Sequence, residues 1–252
     1  MKRKLDLDRL KVNRTGDHAQ SFMITDEVLG TVEPGKRYRI TLNGLVLTDA
    51  DISQSFKHKR QVKTPANIQF HGVWITTEDA KATDANILGG SGTLQINQTE
   101  LCIPEVVATA ENLSFYGAKL VQLGDIIEFE TTEALPVTIT RVGSSYVEHY
   151  LKVENKGGGA YIEYHDRPHL HLPTDKSTSG SMIIGHSFDN KYTLSAFKIP
   201  FGYGIYTPPN LLHADAFLVG KFLVIYSVTE HFSTVIFRSP NHELVDVNIG
   251  AS

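Results

Sequence analysis

Apolar and polar residues alternate along most of this 252-residue chain in short runs, broken by glycine, proline and asparagine. From Val32 the pattern is a Pro34-Gly35 turn, an alternating run, Asn43-Gly44 and a second apolar run to Leu47. Asn-Gly between two such runs is a strong local signal for a β-hairpin, because both residues tolerate the backbone a tight turn needs. Further strands are predicted over Ile68–Thr77, Thr93–Asn97, Gly124–Glu130 and Val137–Val142. In the last third they fall over Gly180–Gly185, Tyr192–Ile199, Ala216–Val219, Phe222–Val228 and Ser233–Arg238. His186, Asp189 and Asn190 read as a hairpin turn.

Other stretches are less decided. Residues 1 to 30 carry no sustained period, and the Leu5-Leu7-Leu10 spacing suits a short strand or a helical turn. Residues 50 to 66 are a polar excursion, Thr77–Thr83 a turn or short helical piece, and Gly89-Gly90-Ser91-Gly92 a turn. Ala108–Leu120 fits a short helix or a bent strand, and periodicity does not choose between them. Many short strands with Gly/Pro turns and no α/β alternation make the chain all-β, a barrel or a sandwich. Gly157-Gly158-Gly159 is the expected internal boundary, giving residues 1–156 and 157–252 as two regions.

Composition narrows the possible partners. A formal charge of -4 and 41% hydrophobic residues describe an ordinary globular chain without the clustered positive surface that nucleic acid or an anionic membrane requires. The basic run Lys57-His58-Lys59-Arg60 is short and reads as a solvated loop. The one cysteine, Cys102, rules out an internal disulfide and suits a reducing compartment. The charged opening has no apolar run behind it, and no segment reaches membrane-spanning length, so a cytoplasmic location is expected.

The candidate chemistry is in the histidines between Gly157 and His213. Tyr161–His171 holds three of the eleven, at His165, His169 and His171. Side chains alternate along a strand, so His169 and His171 share a face and Leu170 takes the reverse. Two imidazoles aimed into one space suggest a metal site, and His213 would close it from a neighbouring strand in a barrel. Glu163 and His165 have the same parity if Pro168 leaves the strand unbroken.

Two of these stretches resemble the motifs of the cupins. Gly202, five residues, Pro208, Pro209, Asn210, two residues and His213 follow the second cupin motif, with Asn210 in place of its second glycine. His169-Leu170-His171, with Met182–Gly185 after it, resembles the first motif. The resemblance covers about Gly157 to Arg238. It implies a cupin-type double-stranded β-helix, or jelly-roll, barrel carrying the metal in the C-terminal region. The N-terminal region is then either a degenerate second barrel without metal, making a bicupin, or an extension that covers the first.

The resemblance further implies one divalent transition metal (iron, manganese, zinc, nickel or cobalt) on His169, His171 and His213. Asp175 takes the usual spacing of the fourth ligand, although a turn role suits it equally. Glu163, His165 and Tyr206 are the candidate acid/base groups. Arg167, Tyr164 and Lys198 are candidates for binding a small polar substrate, although packing suits the tyrosines and solvent the charges. The expected activity is that of a metal-dependent isomerase, epimerase or lyase on a sugar-like or keto-acid metabolite, in a homodimer. Iron-dependent dioxygenation and non-catalytic binding or sensing are the alternatives.

Overall fold

A computed structural model of the chain describes residues 10–15, 21–57, 60–76, 92–226 and 229–251. In chain order its strands are β1 (Asn13–Thr15), β2 (Ser21–Val32), β3 (Arg37–Thr41), β4 (Gly44–Leu47), β5 (Ile68–Thr76), β6 (Gly92–Ile96) and β7 (Glu100–Val107). There follow β8 (Lys119–Gln122), β9 (Ile126–Glu128), β10 (Leu135–Val142), β11 (Tyr161–His165), β12 (His169–Pro173), β13 (Ser179–Gly180) and β14 (Met182–Phe188). The last six are β15 (Lys191–Lys198), β16 (Tyr203–Thr207), β17 (Leu212–Ala214), β18 (Leu218–Ile225), β19 (Phe232–Arg238) and β20 (Asp246–Ala251). Helix is confined to α1 (Gln54–Lys57), α2 (Ala110–Ser114) and a π-helical turn at Val147–Leu151. The Leu5-Leu7 spacing, the Thr77–Thr83 piece and Gly89–Ser91 lie outside the described residues.

The strands form three sheets. One large sheet runs β1-β2-β10-β18-β12-β16-β8, with β13 added to β18. The other runs β14-β17-β11-β19-β6-β5-β15 and closes on itself through β14 and β15, which makes a seven-strand barrel that β7 and β20 extend. The third is small, ordered β4-β3-β9.

Local chemistry explains several of these elements. The β3–β4 hairpin pairs Thr41 with Gly44, so its turn is Leu42-Asn43, one residue earlier than the Asn-Gly pair suggests. Asp189 and Asn190 both take positive φ and join β14 to β15, the backbone of a type I′ turn. The 108–120 stretch is both helix and strand: Thr109 caps α2 by accepting from the Asn112 N–H, and β8 follows. β18 unites two expected strands through Gly220 at φ 110. β7 and β20 were not legible. β7 contains Pro104, which lacks the N–H that a sheet interior uses, and its partners β15 and β20 lie parallel to it and far along the chain.

The expected boundary at Gly157–Gly159 does not divide the sheets. β5 and β6, from before it, complete the barrel with five strands from after it, and β10 lies between β2 and β18 in the other large sheet. The glycines answer to packing instead. A Cβ on Gly157 would strike the Leu151 backbone, and Gly158 and Gly159 take positive φ.

The barrel interior is identified by its aromatic rings. Trp74 on β5 and Tyr164 on β11 lie 5.4 Å apart although β6 and β19 separate their strands, so they meet across the interior. Tyr192 stacks on Trp74 and on Phe70, and the Trp74 indole N–H donates to Ser233 Oγ at 2.9 Å. Outside the barrel, Met182, Ile184 and Phe197 pack against Ile205, Phe222 and Val224 of the open sheet. The reverse face of that sheet, including Leu170, Leu172 and Tyr206, packs against Tyr38, Ile40 and Ile127 of the small sheet.

Candidate metal centre

The histidines collect in the layer between the barrel and the open sheet. β11 ends at His165, the chain turns through Asp166-Arg167-Pro168, and β12 begins at His169 in the other sheet. The turn is held on both sides: the Asp166 N–H donates to the His231 carbonyl, and Asp166 accepts from Thr229 Oγ1 at 2.7 Å. Pro168 thus breaks the strand, yet the break sets the His165 face of β11 opposite the His169 face of β12. His213 arrives on β17, which pairs with β11 so that its Cα partners Glu163.

Three imidazoles converge there. His165, His169 and His213 are all buried and each offers a ring nitrogen within 4.8 Å of the other two, close enough to hold one metal ion. Their ring centroids are 4.3 Å apart for His165 and His169, 4.9 Å for His165 and His213, and 5.0 Å for His169 and His213.

Their electrostatics suit ligands. Burial first, and then His213, push His165 down to about 3, and burial with the neighbouring imidazoles pushes His169 well below its ordinary value. His213 falls to about 4, mainly through burial. All three are neutral at physiological pH, the state a metal requires. His213 Nδ1 lies 2.8 Å from the Leu211 carbonyl, which only accepts, so Nδ1 carries the proton and Nε2 the lone pair. That Nε2 is buried and has no hydrogen-bond partner. A main-chain bond at Arg167 holds the His165 ring in the same manner. A three-nitrogen donor set with an orphaned lone pair fits a divalent transition metal.

Asn210 sits at φ 64, in the left-handed region, and its N–H donates to the His165 carbonyl at 2.7 Å. The turn that delivers His213 is thereby tied to the end of β11.

Other expected site residues are distributed more widely. Glu163 faces the cluster: Thr234 Oγ1 donates to its Oε2 at 2.8 Å, and its Oε1 is 3.8 Å from His213 Nε2. Burial, then the Asp215 charge, raise Glu163 to about 7. His171 shares the His169 face, but its Nε2 lies 3.1 Å from Asp215 Oδ2 and it is not one of the three converging histidines. Asp175 closes a turn, accepting from the Ser177 N–H and hydroxyl, rather than joining the cluster.

Tyr206 is on the wrong face for acid/base work. It pairs with Leu170, shares that residue's reverse side of the sheet, and accepts from the Glu130 N–H at 3.2 Å. Tyr164 points into the barrel against Trp74. Arg167 is engaged by Asp166 at 3.0 Å and Glu133 at 3.2 Å. Lys198 is exposed at the end of β15, paired with Val107.

Sequence reasoning missed Asp215. It is held by Tyr161, whose hydroxyl donates at 2.6 Å, and by His171. Burial opposes its charge, but the His171 hydrogen bond and charge, with Tyr161, hold its carboxyl well below the usual range. Asp215 follows His213 by two residues, just past the end of β17. Arg14 was also unforeseen. It is buried on β1 and donates to the Tyr146 hydroxyl at 2.8 Å. Burial opposes its charge, yet Tyr146, Tyr161, Tyr226 and Asp215 keep it protonated.

No protein-family model and no curated protein matches this chain. Among the described residues, no helix is long and apolar enough to cross a membrane.

Proposed function

We propose that the chain is a metal-dependent enzyme of the cupin type, acting on a small polar metabolite in an isomerase, epimerase or lyase reaction. The observation that carries this reading is the convergence of buried His165, His169 and His213 with ring nitrogens within 4.8 Å of one another. Two facing β layers with the histidine cluster between them support the jelly-roll assignment, as does the Gly202–His213 turn with Asn210 in the left-handed region.

A divalent metal on these nitrogens supplies Lewis acidity toward a carbonyl or hydroxyl oxygen of the substrate. The chain's own contribution is then proton management. Glu163, raised to about 7, holds or releases a proton near neutrality, the condition for an efficient general acid/base. Thr234 fixes its Oε2, leaving Oε1 on the His213 side. Ile184, the cross-strand partner of His213, and Ile205 and Val224, those of His171, give the layer an apolar lining.

Metal analysis of the purified protein, after incubation with iron, manganese, cobalt, nickel and zinc in turn, tests the reading. The parent should take up about one equivalent, as a three-ligand site with an open position does. A His165→Ala/His213→Ala variant should lose more than the roughly 10–100-fold in affinity that removal of an outer support costs. A parent that binds none of the five metals overturns the proposal. Selective uptake of iron with oxygen consumption would move the assignment to a dioxygenase.

A further inference from the structure

Thr207 carries a buried hydroxyl that the fold leaves unused. It ends β16, is 1% exposed, and its Oγ1 has no hydrogen-bond partner among the described residues. A hydroxyl taken out of water regains what it lost only by making another hydrogen bond, so an unpartnered one weakens the fold. Valine would fill the same space without that penalty.

Three placements put this hydroxyl beside the histidine cluster. Thr207 is the cross-strand partner of His169, and directly opposed side chains stand on one face of a sheet with Cβ atoms about 5 Å apart. That face looks into the layer, because the adjacent pair, Tyr206 and Leu170, packs on the reverse side. Tyr226 stacks on the His169 ring from the β18 side, with centroids 6.3 Å apart, and Thr207 borders His169 from the β16 side. Thr207 also opens the turn that leads to His213, and the Asn210 N–H ties that turn to the His165 carbonyl. Its neighbour on the same face of β16 is Ile205, which packs among apolar side chains and offers no polar partner.

We propose that Thr207 is a ligand-binding residue of this site, whose hydroxyl hydrogen-bonds an oxygen of the small molecule that takes the coordination position left open by His165, His169 and His213. This rests on the metal reading above and narrows its ligand. The class is a small hydroxy or keto acid: one oxygen meets the metal and a neighbouring one accepts from the threonine, a bond that an ionised acceptor strengthens.

Glycolate, the smallest hydroxy acid, is the probe, and cobalt(II) is the metal, because its visible spectrum responds to a ligand entering its coordination sphere. Thr207→Val removes the hydroxyl and keeps the shape, while Thr207→Ser keeps the hydroxyl. All three proteins should take up cobalt alike. Glycolate should bind cobalt-loaded Thr207→Val at least about 10-fold more weakly than the parent, the loss of one hydrogen bond to a charged group, and Thr207→Ser should recover most of that affinity. Metal-free Thr207→Val should melt at a higher temperature than the metal-free parent, a change that a hydroxyl with a structural role would not give.

Thr207→Val that binds glycolate as tightly as the parent, or that melts below it, overturns the inference, as does a cobalt-loaded parent whose spectrum glycolate leaves unchanged. In each of these cases cobalt uptake leaves the metal site standing. A parent that takes up no cobalt or other divalent metal overturns both.

Discussion

Glu163 is half-buried on the His213 side of the histidine cluster, and its ionisation has a definite sign. Its folded value of about 7 lies above the ordinary 4.5, because burial and the Asp215 charge disfavour the carboxylate. The unfolded chain therefore releases the proton first. Glu163 favours folding below about pH 4.5, loses that advantage as pH rises through 7, and contributes a constant penalty above it. Glu163→Gln should flatten this part of the stability profile and raise the melting temperature at pH 8, while leaving it unchanged at pH 4; thermal melts across that range check it. An unchanged profile would place the carboxyl in water. At this scale the sequence was a good guide to residue type and a partial one to role. His169 and His213 were legible because they fall on motif positions, whereas His165 needed the Pro168 break to turn its face toward them. Tyr206 shows the reverse case: it lies in the same Gly202–His213 run, but its pairing with Leu170 puts it behind the sheet.

Two elements can be tested for the work assigned to them. The turn before His213 requires a left-handed residue at Asn210, with φ 64. Asn210→Gly should be nearly neutral, and Asn210→Ala should cost about 1 kcal/mol, the penalty for placing a Cβ in that region. Chemical denaturation measures both, and equal effects from the two variants would mean that the turn is not under this constraint. Inside the barrel, Trp74 bridges strands that do not pair, touching Tyr164 and Tyr192 and donating to Ser233. Trp74→Ala should destabilise by about 3 kcal/mol through the cavity and the lost contacts. A loss below about 1 kcal/mol, the level of an ordinary surface change, would show that the ring does not fill the interior. The β3–β4 hairpin, to within one residue, and the Asp189-Asn190 turn were readable because turn chemistry is local. β7 and β20 were not, since their parallel partners come from far along the chain.

For the whole molecule, burying three neutral imidazoles makes stability depend on acid. His165 at about 3 and His213 at about 4 lie below the unfolded value near 6.5, and His169 lies well below it. The unfolded chain thus binds protons that the native one refuses. Their contribution is intact above pH 6.5 and is lost as pH falls toward 4, a slope opposite in sign to that of Glu163 and carried by more groups. Metal-free protein should lose stability progressively over that range. Metal at about 100 times its dissociation constant should add about 2.7 kcal/mol near neutrality, and chelation should remove it. Calorimetry with and without chelator checks this, and melting that is insensitive to both metal and pH 4–6.5 would count against a histidine-only ligand set.

What the sequence determined by itself was the local part: an all-β chain, most of its strands and turns, and two histidine motifs, because alternation, glycine and asparagine act over a few residues. What only the tertiary structure decided was which strands meet. The barrel draws strands from both sides of Gly157, and the cluster lies outside its interior, in the layer shared with the open sheet. The choice among four histidines followed from that layer. Strand parity pairs His171 with His169, whereas the turn through Pro168 brings His165 to His169 and His213 instead.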